Sequence, residues 1–321
     1  MRILFFPIHS VISLPHLYPV YKAALERGHE CKWLAAPIFA QDALPDEVKT
    51  NSTTFEEFKP HAVVLADPRG WPPHWKGKTL LVNVGHSLAS KDSYYLPNKG
   101  EELVDLHCVA GLYHYNRMVH YLDKSQIVIT GSPCLDELWD IKPDENIILV
   151  APTWCLNEKN DGIGSVWEAL SGIKDKIIYV KFHLYDIINP EKRVTREMLP
   201  IYENMKVFDP ATDWEFKKWL GPASIVISDI STIYLYGMAL GRPAILFVDY
   251  GYVERRPDRV EVEFMFYTHV FTTRISTDIL RFCMEQPVKV PDEIRNMLHD
   301  PSRRGIAARS VVQEIEERCN A

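Results

Sequence analysis

Residues 224–247 read SIVISDISTIYLYGMALGRPAILF, and the order of apolar and polar positions in this stretch decides the fold. SIVIS at 224–228 is a short continuous apolar run rich in β-branched residues, the pattern of a strand covered on both faces. A turn of small polar residues follows. Residues 231–241 read as a helix stopped by Gly241, and AILFV at 244–248 reads as the next buried strand. A strand, a helix and a strand with short connections make a βαβ unit, whose strands run parallel in one sheet.

The same reading extends outward in both directions. A first set of strands is expected at 2–7, 31–36, 61–66, 79–84 and 126–130, with a helix over 15–27 that ends at Gly28. A second set is expected at 146–151, 176–182, 224–228 and 244–248, with helices near 162–171, 212–220 and 231–241. A charged amphipathic helix closes the chain over 302–318. The polar segment ELWDIKPDEN at 137–146 is the expected linker. The sequence therefore predicts an α/β protein with two Rossmann-like domains, 1–140 and 141–321, whose parallel sheets face across a cleft. In such sheets ligands bind outside the carboxyl ends of the strands, so the residues after each strand are the candidates for chemistry.

The 321 residues suit two domains of about 150 each. A net charge of -7 argues against a broad nucleic-acid surface, while leaving room for local phosphate sites. The opening MRILFFPIHS has one basic residue and an apolar run broken by Pro7, unlike a secretory leader. No stretch approaches the roughly 20 apolar residues of a membrane span, and a cytoplasmic location is expected. Trp71 and Trp75 in RGWPPHWKGK offer a peripheral contact with the inner face of the membrane, or else an ordinary packed loop. The six cysteines are scattered without a CxxC pair, which argues against a disulfide framework or a structural zinc. There is no GxxxxGK[ST] loop, HExxH helix, GxSxG elbow or DxD pair, so neither a metal nor a cofactor is expected.

Five positions carry the candidate chemistry. At the turn after 224–228, Ser231 or Thr232 caps the helix, whose unbonded N–H groups and dipole suit a phosphate. Ser228, which closes the strand, and Asp229, which orients the turn or a hydroxyl instead of meeting a phosphate itself, belong to the same expected donor-binding turn. His86, in VGHSLASKD after the strand at 79–84, has an ordinary pKa near 6.5 and suits a general base. His183, in IIYVKFHLYD, stands just past another strand with Lys181 beside it. Thr153 and Trp154, in APTWCLNE, offer a phosphate donor and a site wall. Arg255, Arg256 and Arg259, in ERRPDR, offer bidentate phosphate contacts. Each also has a plain structural reading as a cap, a packed ring or a solvated loop residue. TGSPCLDELW at 130–139 reads as structural, with Gly131 and Pro133 in a tight turn and Asp136 at a helix start.

The opening, with its strand, loop, helix and RGHE at 27–30, resembles the start of many GT-B glycosyltransferases. A sharper resemblance lies in five ordered blocks: GHS (85–87), TGSPCLD (130–136), APTW (151–154), KFH (181–183) and SDISTIYLYGMALGRPAILF (228–247). Their order and spacing, over roughly 80–250, are similar to the CDP-glycerol glycerophosphotransferase family of teichoic-acid-type enzymes. That family carries HGTP, TGYPRND, APTWR, KPHP and SDYSS blocks. This chain has Ser87 where the family has Gly, Cys134 and Cys155 where it often has arginine, and Leu184 in place of a proline. The resemblance implies the GT-B fold, an acceptor domain at 1–140 and a nucleotide-donor domain at 141–321. It implies His86 as the base, His183 as the second active-site histidine, and Ser231 and Thr232 on the donor phosphates. It implies a CDP-activated donor and a glycan, polyol-phosphate or lipid-linked acceptor. Two other readings stay open: a GT-B glycosyltransferase or epimerase using a sugar nucleotide, and a non-catalytic nucleotide-binding module.

Overall fold

The computed structural model describes residues 1–7, 10–34, 44–67, 73–85, 88, 103–152, 162–183, 200–229, 231–248, 260–271 and 275–320. The chain forms two compact units. One comprises Met1–Trp139 with Asn296–Ala321, and the other comprises Asp140–Arg295.

In the first unit the elements run β1 (Arg2–Phe6), α1 (Leu14–Glu26), β2 (Glu30–Leu34), α2 (Asp46–Thr50), β3 (Ser52–Thr53), α3 (Phe55–Phe58), β4 (Ala62–Leu65), β5 (Leu80–Asn83), β6 (Leu106–Val109), α4 (Leu112–Met118) and β7 (Ile127–Ile129). The strands form one sheet in the order β3-β2-β1-β4-β5-β6-β7. The second unit contains β8 (Asp144–Val150), α5 (Gly162–Leu170), β9 (Ile177–Lys181), β10 (Met205–Phe208), β11 (Ala223–Ser228), α6 (Thr232–Ala239), β12 (Ala244–Phe247), β13 (His269–Phe271) and α7 (Thr277–Glu285). Its sheet has the order β10-β9-β8-β11-β12-β13. Every pairing in both sheets is parallel. The apolar runs read as doubly covered strands are so: β4 and β12 are buried throughout, as are Ile3–Phe6 of β1.

Four strands escaped the sequence reading. β3, β10 and β13 lie at sheet edges and are short or half-exposed, so they lack the continuous apolar run that marks an interior strand. β6 is interior, but its apolar run is broken by His107, which the fold buries to 1 % exposure. The helix expected at 212–220 is a single 3-10 turn, Phe216–Lys218. Local side-chain bonds compete there with helix formation. The Asp209 carboxylate accepts from the Ala211 N–H at 2.8 Å, and Trp219 Nε1 donates to the Asp213 carbonyl at 3.0 Å.

The chain leaves the second unit through α8 (Asp292–Leu298) and ends in α9 (Ala307–Asn320). The sequence division carried the second domain to residue 321, whereas α9 packs on the first unit. The socket is TGSPCLD. Asp136 lies in the first turn of a 3-10 helix, Pro133–Leu138, as the sequence suggests, and its carboxylate also accepts from the Ala307 and Ala308 N–H groups at 2.9 and 2.8 Å and caps α9. The Ser132 N–H donates to His299 Nε2 at 2.9 Å. Gly131 has φ +85, and a Cβ there would come within 2.8 Å of Ala307 Cβ and 2.9 Å of Arg303 Cβ. The buried face of α9 includes Ala307, Ala308, Val311, Val312 and Ile315 at helical spacing, and α1 lies against it. Glu316 pairs with Arg27 and, at 2.8 Å, with His29 Nε2.

Burial pushes the Asp136 carboxyl up to about 6, against the pull of the two amides. Between about pH 4 and pH 6 the folded chain therefore holds a proton that the unfolded chain has released. This group's contribution to stability is full below about pH 4 and falls as the pH rises through 6. Asp136→Ala should cost about 1–2 kcal/mol in urea unfolding at neutral pH, the loss of a helix cap. Asp136→Asn should flatten the stability profile between about pH 4 and pH 6 relative to the parent chain.

Candidate functional site

β8 is the first strand of the second sheet and lies in its interior. The chain adds β9 and β10 on one side of it, then β11, β12 and β13 on the other. The connections after β8 and β11 therefore leave in opposite directions and open a crevice at the carboxyl edge. Ala151, one residue past β8, donates its N–H to the Ile227 carbonyl at 2.9 Å. Ser228, the last residue of β11, returns a bond from Oγ to the Ala151 carbonyl at 2.6 Å. The two strand ends are thus strapped together at the point where their loops part. Ser228 is 1 % exposed and its hydroxyl proton already has an acceptor, so its contribution is to this strap.

α6 begins beside the strap. Ser231 is its N-cap, with extended backbone (φ -91, ψ 145), and its Oγ accepts from the Ile233 N–H at 3.4 Å. Thr232 is the first helical residue and half-buried, and neither its N–H nor its hydroxyl donates to a described residue. Its N–H and hydroxyl are therefore donors at the positive end of the helix. The helix sits close on the sheet because of Gly237, where a Cβ would come within 2.7 Å of Val226 Cγ2. It is buried on all sides from Tyr234 to Ala239. Gly241, at φ +77, turns the chain out of the helix toward β12, as the sequence pattern required. Asp229 follows the strap and is 1 % exposed.

His183 stands two residues past β9 and is half-buried. The structure thus gathers His183, Ser228, Asp229, Ser231 and Thr232 on the carboxyl edge of one sheet. The other sequence candidates, His86, Thr153, Trp154, Arg255, Arg256 and Arg259, lie outside the described residues. The turn before His86 is described: Gly85 has φ +66, and its N–H donates to Asn83 Oδ1 at 2.9 Å. Among the described residues, no three His, Cys, Asp or Glu side chains gather as a metal site would require.

Two further residues emerge from the structure. Lys181, last in β9, stands beside His183, where a lysine either assists the histidine or points to solvent. Its ammonium instead lies 5.8 Å from the Trp219 ring centre, and burial pushes its pKa down to about 7 while Asp213 and Asp209 oppose the shift. The signal in the sequence was its place beside His183; the covering Trp219 is distant in the chain. Asp67 follows β4 at the reversal of the first sheet, beside β1, and is 1 % exposed. Of the two readings of Trp75, the packed ring is the one found. Its indole is 4 % exposed and stacks on Phe55 at 4.5 Å, inside the core of the first unit. Trp71 lies outside the described residues. No helix among the described residues is long and apolar enough to cross a membrane.

The lowered pKa of Lys181 has a stability consequence with a definite sign. From about pH 7 to about pH 10 the unfolded chain binds the proton that the folded chain has lost, so stability rises with pH over that range. Lys181→Met should abolish this rise, measured as the urea midpoint at pH 7 and at pH 9.

No protein-family model matches the chain, and no characterised protein matches it by sequence. Solved structures do match it over nearly its whole length. A form of the wall teichoic acid polymerase TagF soaked with CDPG aligns with a TM-score of 0.64 at 15% identity, covering 99% of this chain and 88% of that one. S. aureus MnaA in complex with UDP aligns at 0.62 and 15% identity, covering 99% and 97%. The Methanocaldococcus jannaschii UDP-GlcNAc 2-epimerase with UDP-GlcNAc and UDP aligns at 0.62 and 13% identity, covering 99% and 100%. At these identities the likeness speaks to architecture, and the architecture is GT-B: two α/β domains, each built on a parallel sheet.

Proposed function

We propose that this protein is a metal-independent GT-B transferase. In this reading it moves glycerol phosphate, or a related alcohol phosphate, from a CDP-activated donor to a hydroxyl of a glycan or polyol-phosphate acceptor. The observation that carries the reading is the helix end at Ser231 and Thr232. It stands at the reversal of the second sheet and closes the five ordered sequence blocks that resemble those of CDP-glycerol glycerophosphotransferases. Thr232 brings to that edge two donors without partners among the described residues, and the helix dipole adds to them at no cost in reorganisation.

The chemistry assigns a role to each residue. The acceptor hydroxyl oxygen attacks the β-phosphorus of the donor, and the bond from that phosphorus to the bridging oxygen breaks. CMP leaves with the bridging oxygen, and His86 takes the hydroxyl proton. His183, Ser231 and Thr232 balance the charge that grows on the phosphoryl oxygens, with Thr153, Arg255 and Arg256 as further phosphate contacts. Ser228 and Asp229 hold the turn that carries these groups. The second domain is the donor domain in this reading, and the first takes the acceptor.

A sugar-nucleotide reading is supported by equally similar folds, since structures solved with UDP or UDP-GlcNAc align about as well as the polymerase does. Attack would then fall on an anomeric carbon, and a nucleoside diphosphate would leave. Thermal-shift titrations with CDP, CMP, UDP and GDP separate the two. The CDP-donor reading expects the largest stabilisation from CDP, reduced in Thr232→Val. A clear preference for UDP or GDP overturns it in favour of the sugar nucleotide. For catalysis, His86→Ala and His183→Ala should each lower turnover of CDP-glycerol by about a hundredfold or more without changing Tm. Unchanged turnover in both variants would remove the catalytic assignment.

A further inference from the structure

The first unit has a recess at the opposite edge of its sheet, where strands begin instead of end. Phe55, Glu56, Lys59, Pro60 and Lys78 line it, and its volume is about 420 Å³. That is within the range of small-molecule sites. Pro60 stands two residues before β4 and Lys78 two before β5, so the recess opens at the amino edge of these neighbouring strands.

Its walls are held in place. The Phe55 ring lies nearly parallel to the buried Trp75 indole, with 4.5 Å between ring centres and 10° between planes. Lys59 ends α3, donating its N–H to the Phe55 carbonyl at 2.9 Å, while its own carbonyl accepts from Arg2 Nε at 3.0 Å. Lys59 has φ 49 and is the one non-glycine residue with positive φ among the described residues. Glycine or asparagine fits that conformation with less strain, so a lysine there points to a use for its side chain. Lys78 follows Gly77 (φ +76), and its N–H donates to the Trp75 carbonyl at 2.9 Å. Both lysine side chains are exposed, and neither forms an ion pair with a described residue. Glu57 is engaged with Thr54 in a capping box, which leaves Glu56 as the carboxylate in the lining.

We propose that this recess binds a phosphate monoester bearing a flat or apolar group, with the phosphate between Lys59 and Lys78 and the apolar part against Phe55 and Pro60. Two ammonium groups against one carboxylate suit a single phosphate better than a polyanion. The same chemistry occurs in a soluble phosphate ester and in an anionic lipid headgroup. The site is independent of the donor reading, because every lining residue belongs to the first unit and none to the candidate donor set.

The test uses the full chain with two kinds of probe. Calorimetry with phenyl phosphate and with inorganic phosphate reads the soluble arm. Flotation with phosphatidylcholine vesicles, with and without phosphatidic acid, reads the lipid arm. Phenyl phosphate should bind saturably and more tightly than inorganic phosphate. The double variant Lys59→Gln, Lys78→Gln should weaken binding by about tenfold or more, the scale of one lost charge-assisted contact. Its Tm should not change, since both side chains are exposed. Binding of phosphatidic-acid vesicles alone, lost in the double variant, supports the site and identifies a headgroup as its ligand. No binding in either arm, or binding that survives both substitutions, overturns the proposal.

Discussion

Parallel strands can be neighbours only if the chain crosses back over the sheet between them, so every connection that follows a strand leaves from one edge. That constraint organises both units, and β8 turns it into a site. With β9 on one side and β11 on the other, the connections beyond β8 and β11 diverge. Backbone hydrogen bonding would end there and leave the strand ends free to splay. The bond from Ser228 Oγ to the Ala151 carbonyl holds them together one position beyond the last ladder pair. Gly237 then lets α6 lie close enough to the sheet for Ser231 and Thr232 to sit at that edge.

A second constraint concerns the end of the chain. The helix α9 is amphipathic, with polar and charged residues over much of its surface, and its buried face needs a partner. Asp136 supplies a cap for two of its unpaired amides, and α1 supplies apolar contact. Gly131 leaves the room that a side chain would take. The TGSPCLD block, one of the five that resemble the glycerophosphotransferase family, is thereby engaged in joining residues far apart in the sequence. This accounts for its small and acidic residues without asking them to touch a ligand. The carboxylate is buried enough that its charge is opposed by the loss of water even while two amides support it.

Burial also reassigned residues whose chemical type had suggested another role. Ser228, in the turn proposed to grip the donor, ties two strands. Trp75 offers a membrane contact or a packed ring by its sequence, and it stacks inside a core. Lys181, beside His183 in the sequence, is half-buried next to the Trp219 ring, and burial pushes its pKa down to about 7. In each case the partner comes from a distant segment: Ala151 for Ser228, Phe55 for Trp75, Trp219 for Lys181. Residue type indicates what a group can do. Its surroundings decide which of those things remains open to it.

The interior strands other than β6, the βαβ units and the stop at Gly241 were legible in the sequence, because each depends on local pattern. A doubly buried strand must be apolar along its length, and a helix that turns sharply into a strand needs a residue free to take positive φ. The cap at Ser231 and the polar turn before it were legible for the same reason. The edge strands β3, β10 and β13 were not, since one partner and a half-exposed face impose little on their residues. The docking of α9 on the first unit, the strap at Ser228 and the covering of Lys181 were decided by tertiary structure alone. Each joins groups that are dozens of residues or more apart, and no local pattern encodes which distant surface will exclude water from a given side chain.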